Sequence, residues 1–350
     1  VPTALVTGAT GLVGSHIVER LVGDGWRVRA LVREASSGVR QQRRSWDGMA
    51  WLRDHDVQFA SGDILDLPSF VGAARGCDVI FHTAAAVTPP SSRVHPYDAY
   101  RIPNVDGTRN AIAAATRNSA RLLQLSSVAV YGPESRYASS TARGVDESMP
   151  LDPLPERAYY ARSKRESEQL VLAAHAEGRI WATAVRPDVI YGPRDRQFIP
   201  RLARLLRFGV APVINGGAAI MAVVHAAHVA DGAIRAATTE RAGGMAYNLA
   251  NDFDVRWRDF FRLAGIGIDR RVHTVSLPHW LARGALRVTK RIIRFVTAGG
   301  MNVVATASLD FMTRDNPFNS DRARRELGWN PQLPPEQSIP DAFRWWRENR

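Results

Sequence analysis

The sequence predicts an α/β fold: a doubly wound parallel sheet with helices on both faces, and a smaller, interleaved C-terminal unit. Two observations predict it. Short β-rich apolar runs alternate with helical stretches through the first half of the 350 residues, and a glycine-rich turn joins the first run to the first helix. Buried strands separated by helices require crossover connections, hence a parallel sheet. The expected strands are 4-ALVT-7, 27-RVRALV-32, 57-VQFA-60, 78-DVIFH-82, 121-RLLQLS-126 and 180-IWATAV-185. Helical patterns at 12-LVGSHIVERLV-22 and 105-VDGTRNAIAAAT-116 lie between them. Residues 132–156, rich in Pro, Ser and Gly, read as a loop beside a ligand. After about residue 186 the alternation loosens, so 1–185 form the first domain and 186–350 mainly a second. The stretch 222-AVVHAAHVADGAIRAA-237 returns toward the first, which 222–250 complete.

Composition narrows the class of protein. Hydrophobic residues make up 45% and charged residues 23% of the chain, as in a globular enzyme. No run of eighteen apolar residues suggests a membrane span, and 1-VPTALVTGAT-10 reads as a strand rather than a signal peptide. A single cysteine, Cys77, excludes an intrachain disulfide and suits a cytoplasmic setting. The net charge is +12, but the arginines are scattered, so no nucleic-acid partner is expected. The segment 277-LPHWLARGALRVTKRIIRFV-296 mixes large apolar residues with five Arg or Lys. Peripheral membrane contact is one reading of it, and a core-facing helix with a solvated face is the other. His225 and His228 lack an acid or cysteine cluster and are read as packing, with no metal expected.

The turn 7-TGATGLVG-14 places Gly8, Gly11 and Gly14 between a strand and a helix start. Missing Cβ atoms let a pyrophosphate approach, and the helix N-terminus meets it with N–H groups. The second strand ends 30-ALVRE-34, with Val32 where NAD binders place an acid. Arg33 follows and can pair with a 2′-phosphate, so NADP(H) is the expected cofactor, with NAD(H) and Glu34 as the alternative. Arg40, Arg43 and Arg44 lie nearby. In 62-GDILD-66, Asp63 either accepts from the adenine amino group, with Ile64 on the ring, or caps the next helix.

Among 46 basic residues only Lys164 and Lys290 are lysines, and Lys164 stands four residues after Tyr160. That spacing puts both on one helical face. An ammonium there is expected to lower the phenol pKa and make it a usable acid or base. The fifth strand runs into 125-LSSVAVYG-132, where Ser126 or Ser127 can hold a carbonyl oxygen.

Together these pieces resemble the extended short-chain dehydrogenase/reductase family, and within it the 3β-hydroxysteroid dehydrogenase and dihydroflavonol reductase-like branch. Beyond TGATGLVG, GDILD and SSVAVYG, the matches are 82-HTAAA-86, 104-NVDGTRN-110, the Tyr160–Lys164 pair, 186-RPDVIYGP-193, 223-VVHAAHVADG-232 and 319-NSDRARRELGWNP-331. The resemblance implies a Rossmann-type dinucleotide-binding domain followed by a substrate-binding domain. It selects Ser127 over Ser126, makes Tyr160 the acid/base, assigns Lys164 to the nicotinamide ribose, and gives Asn104 a supporting role. It further implies that Gly8, Thr10, Gly11, Leu12, Val13 and Gly14 line the cofactor with Thr83, Ala84 and Ala85. Pro187 and Val189 should meet the nicotinamide. A homodimer is implied by the same analogy.

Two departures choose among the family's reactions. Sugar-nucleotide members place an Arg where Met221 stands, and 225-HAAH-228 lacks the acids of their motif. With Arg33, these favour a reductase or hydroxysteroid-dehydrogenase-like enzyme acting on a bulky, mostly apolar ketone, aldehyde or secondary alcohol. An NAD-dependent sugar-nucleotide epimerase or dehydratase, and a non-catalytic NADP-binding regulator, are the alternatives.

Overall fold

Strands buried on both faces carry continuous apolar runs, and β1 (Thr3–Thr7), β4 (Val79–His82) and β6 (Ala182–Pro187) are buried over almost their whole lengths. The computed structural model describes residues 1–33, 47–87, 96–132, 144–278 and 315–350. Between β1 and β4 lie α1 (Leu12–Gly23), β2 (Arg27–Val32), α2 (Gly48–Arg53), β3 (Val57–Ser61) and α3 (Leu67–Ala73). Then come α4 (Asp98–Arg101), a π-helical turn (Ile102–Asp106), α5 (Gly107–Asn118), β5 (Arg121–Leu125) and α6 (Tyr159–Ala176). After β6 follow β7 (Val189–Tyr191), α7 (Phe198–Leu206), β8 (Val210–Ile214), β9 (Val223–His225), α8 (Ala226–Thr238) and β10 (Ala246–Leu249). The chain continues with α9 (Trp257–Gly267), β11 (His273–Leu277), α10 (Asp321–Leu327) and α11 (Pro335–Glu348).

The main sheet has seven parallel strands in the order β10-β6-β5-β4-β1-β2-β3. The order reverses direction between β1 and β4. Such a switch point opens a crevice outside the carboxyl ends of the strands, where open α/β sheets take their ligands. Side-chain alternation assigns the two faces. Ala4, Val6, Phe81, Leu123 and Val185 pack with α1 and α8 residues, whereas Leu5, Ile80 and Leu122 pack under α3, α5 and α6. A separate core joins α7, β8, α9 and α11 around Phe260, Phe261 and Phe343.

All six expected strands and both helices form. The second helix extends backward, because the π-turn from Ile102 precedes Gly107. Of the 277–296 segment, Leu277 closes β11, and residues from 279 onward lie outside the described residues, as do 133–143 of the Pro- and Ser-rich loop.

One buried ion pair locks α6 to the sheet. Arg186 on β6 donates from Nε and Nη2 to Glu168 on α6 at 3.0 and 2.6 Å, and from Nη1 to the Tyr131 hydroxyl at 2.8 Å. Tyr131 passes the chain to Asn248 Oδ1 on β10 at 2.8 Å, and Asn248 Nδ2 donates to the Asn319 carbonyl at 3.0 Å. Removing one partner of a buried pair strands the other charge. Arg186→Met should therefore lower the unfolding free energy in denaturant titrations by about 3–5 kcal/mol. Adding Glu168→Gln should recover part of that loss, since the two residues form one coupled unit.

Candidate active site

The glycine turn leaves β1 at the switch point. Gly8 takes φ +68°, and a Cβ on it would stand 2.9 Å from the Ala84 amide and from Thr83 Oγ1. A Cβ on Gly14 would fall 2.2 Å from the Gly8 carbonyl oxygen. Gly8 is needed for the turn to close against the β4 loop, and Gly14 for α1 to pack against the turn itself. Gly11 caps α1, whose first turn carries no acidic residue and no side-chain cap, so its N–H groups suit an anion. Thr10 and Leu12 flank the turn half-buried, and Val13 is buried. This cradle fits a dinucleotide's pyrophosphate.

The β4 loop is tied to it. Thr83 Oγ1 donates to the Thr7 carbonyl at 2.6 Å, and the Ala84 amide to Thr7 Oγ1 at 3.2 Å. Ala85 is half-buried beside them. Asn104, in the π-turn, accepts from the Ala86 amide at 2.7 Å and donates to the Ala86 carbonyl at 3.1 Å and to Ser163 Oγ at 3.0 Å. It thereby holds the β4 loop to α6. A widened turn is a known place for a side chain to leave a helix.

At the end of β5, Ser126 is buried, and its hydroxyl meets no hydrogen-bond partner among the described residues. Ser127 caps a short 3₁₀ turn, accepting from the Ala129 amide at 3.2 Å, and its hydroxyl stands near enough to the Tyr160 phenol to lower that group's pKa. Lys164, one turn along α6, is buried and donates to the Leu125 carbonyl. Its charge reaches His82, whose Nδ1 lies 2.9 Å from Thr7 Oγ1 at the foot of the glycine turn. The three residues thus stand near the end of β5, across β4 from the glycine turn that follows β1.

The electrostatics correct one expectation. The Tyr160 phenol is held above its ordinary pKa, not below, because burial outweighs the effect of the Ser127 hydroxyl. Lys164 does not offset this, since its ammonium is turned to the Leu125 carbonyl. Burial pushes Lys164 down to about 8, with Glu168 countering. His82 is pushed down to about 3 by burial and by Lys164, so it is neutral.

Elsewhere the candidates spread out. Arg33 is exposed just after β2; Glu34, Arg40, Arg43 and Arg44 lie outside the described residues. Asp63 closes a local turn, accepting from the Leu65 amide at 2.9 Å, while Asp66 caps α3. Ile64 is half-buried and gives its carbonyl to Asn110 Nδ2 at 2.8 Å. Pro187 is buried at the end of β6, and Val189 is half-buried in β7. His228 pairs through Nδ1 with Asp252 at 2.8 Å and accepts from the Leu333 amide at Nε2. Among the described residues, no group of three or more His, Cys, Asp or Glu is placed to hold a metal, and no helix is long and apolar enough to cross a membrane. Sequence reasoning missed Glu168, although it continues the Tyr160–Lys164 face at the same spacing of four.

Comparison with known proteins makes the chain an oxidoreductase of the nicotinamide-dependent class that acts on CH–OH or carbonyl groups. More narrowly, the chain belongs to the NAD dependent epimerase/dehydratase family, whose sequence model matches residues 4–250. It is 30% identical over 97% of its length to 95% of a 4-hydroxy-2-methyl-3-oxo-4-farnesyl-3,4-dihydroquinoline-1-oxide ketoreductase from Stigmatella aurantiaca. A decarboxylating sterol-4-alpha-carboxylate 3-dehydrogenase from Dictyostelium discoideum is 26% identical over 94% of this chain and 96% of its own. In fold, it is similar to a UDP-glucuronic acid 4-epimerase from Bacillus cereus in complex with NAD. There the TM-score is 0.70 with 17% identity, over 99% of each chain.

Lys164 carries a pH signature. Its folded pKa near 8 lies below its ordinary 10.5, so between those values the unfolded chain binds more protons and stability rises with pH. Below pH 8 the burial penalty is fully present. Lys164→Met should therefore be more stable than wild type at pH 7, by about 1–3 kcal/mol in thermal melts. That gap should shrink as pH rises toward 10.

Proposed function

We propose that the protein is an NADPH-dependent reductase of a bulky, mostly apolar ketone or aldehyde, able to run the reverse oxidation of a secondary alcohol. The observation that carries the reading is the Ser127–Tyr160 hydroxyl pair set above buried Lys164, across β4 from the glycine turn. Bound in that cradle, the nicotinamide would supply the hydride. Ser127 orients the carbonyl oxygen, and Tyr160 delivers the proton to it. A phenol kept protonated at neutral pH is suited to giving a proton, which favours the reductive direction. Lys164, at the foot of the pair, holds the ribose and provides positive charge as the proton leaves. Asn104 fixes α6 relative to the β4 loop.

The ketoreductase and sterol dehydrogenase relatives act on large, weakly polar molecules, which supports an apolar substrate. Met221 is fully buried in the second core, so the position where sugar-nucleotide enzymes place a cation offers none to a diphosphate. Arg33, exposed where β2 ends, supports NADPH over NADH.

Tyr160→Phe should reduce turnover at least about a hundredfold while leaving cofactor affinity near wild type; undiminished turnover would remove the assignment. For the cofactor, Arg33→Ser should weaken NADPH about tenfold in fluorescence titrations and leave NADH unchanged. Equal effects on both would instead indicate an NAD enzyme.

A further inference from the structure

The segment 192-GPRDRQ-197, between β7 and α7, is built more firmly than a connecting loop requires. Arg194 sits at φ +72°, a left-handed conformation that L side chains avoid, yet it is buried. It reaches Glu19 on α1, and its guanidinium lies 4.8 Å from the Trp51 ring on α2. Asp195, also buried, accepts the amides of Gln197, Phe198 and Ile199 at 2.7, 3.1 and 3.0 Å. Backbone and two side chains are thus pinned on both sides of residue 196.

What this framework presents is Arg196. Its Nη2 donates to the Thr10 carbonyl at 3.1 Å, in the middle of the glycine turn. Crowding lowers its pKa and the Asp47 carboxylate, which caps α2, raises it. The side chain is nevertheless exposed, and a guanidinium stays charged. A cation is therefore held between the start of α1 and the start of α2, beside the glycine turn.

We propose that Arg196 is a cofactor-binding residue. It closes over the glycine turn from the β7–α7 strap and pairs with the pyrophosphate of the dinucleotide. The inference rests on the dinucleotide reading above and adds to it a clamp from outside the nucleotide-binding half of the sheet. The α1 N–H groups hold one side of the diphosphate and a planar two-donor cation covers the other.

The test titrates NADPH and NADH into wild type, Arg196→Ala and Arg196→Lys, followed by fluorescence, with thermal melts of each protein. Arg196→Ala should weaken both coenzymes by about tenfold and by similar factors, with Arg196→Lys intermediate and the melting temperatures little changed. A loss confined to NADPH would move the contact to the 2′-phosphate and overturn the pyrophosphate assignment. Unchanged affinities, or a lowered melting temperature without an affinity change, would make Arg196 structural only. If wild type itself bound neither coenzyme, the dinucleotide reading would fall and this inference with it, whereas wild-type binding matched by Arg196→Ala would overturn Arg196 alone.

Discussion

The site depends on a row of alternating charges along one face of α6 and into the sheet. Lys164, Glu168 and Arg186 are all buried, and each would be costly alone. Glu168 serves two cations: it takes the Arg186 fork on β6 and supports the Lys164 ammonium one turn away. Arg186 in turn is fixed by Tyr131 from the β5 loop. Breaking the Arg186–Glu168 pair would free α6 to shift along β5 and β6. Tyr160 and Lys164 would then lose their place relative to Ser127 and the glycine turn.

The same row explains why the phenol is not acidified in the free protein. An ammonium lowers a neighbour's pKa only if it faces that neighbour in a medium that does not penalise the anion more. Here the Lys164 hydrogen bond goes down to the Leu125 carbonyl, and Tyr160 is desolvated by its surroundings, including Tyr100 at 6.2 Å between ring centroids. The resting state is a protonated phenol whose nearest named polar neighbour is the Ser127 hydroxyl. Geometry is prepared in advance, and charge is left to develop during reaction.

Much of the fold was legible because its signals are local. Apolar runs such as Leu122–Leu123 alternate their burial between two cores, and the glycine turn announces itself by spacing that no side chain could occupy. The Tyr160–Lys164 pair was legible for the same reason, since helical periodicity converts a spacing of four into proximity. The remainder depends on long-range register. Arg186 meets Glu168 only because β6 lies beside β5 under α6, and Arg196 meets Thr10 from 186 residues away. The π-turn at Ile102–Asp106 is also hidden, because Asn104 pays for the distortion through bonds to Ala86 and Ser163 that only the folded chain brings near. The direction of the Tyr160 shift failed at this level too: spacing gives distance, not which way the ammonium turns.

The use of lysine at 164, in a chain that writes arginine at nearly every other basic position, follows from burial. A guanidinium carries five N–H donors and cannot lose its charge, so at a buried position it needs a wide set of acceptors, such as those around Arg186. At 164 the ammonium points to a single backbone carbonyl at the end of a strand. An ammonium can turn a remaining donor toward a ligand without leaving a rigid fork unsatisfied. Its pKa near 8 also lets it respond to charge arriving beside it, which no arginine could do. Arginine secures the framework at 186 and 194, where the charge is permanent, and lysine occupies a buried place on α6 where the charge is adjustable.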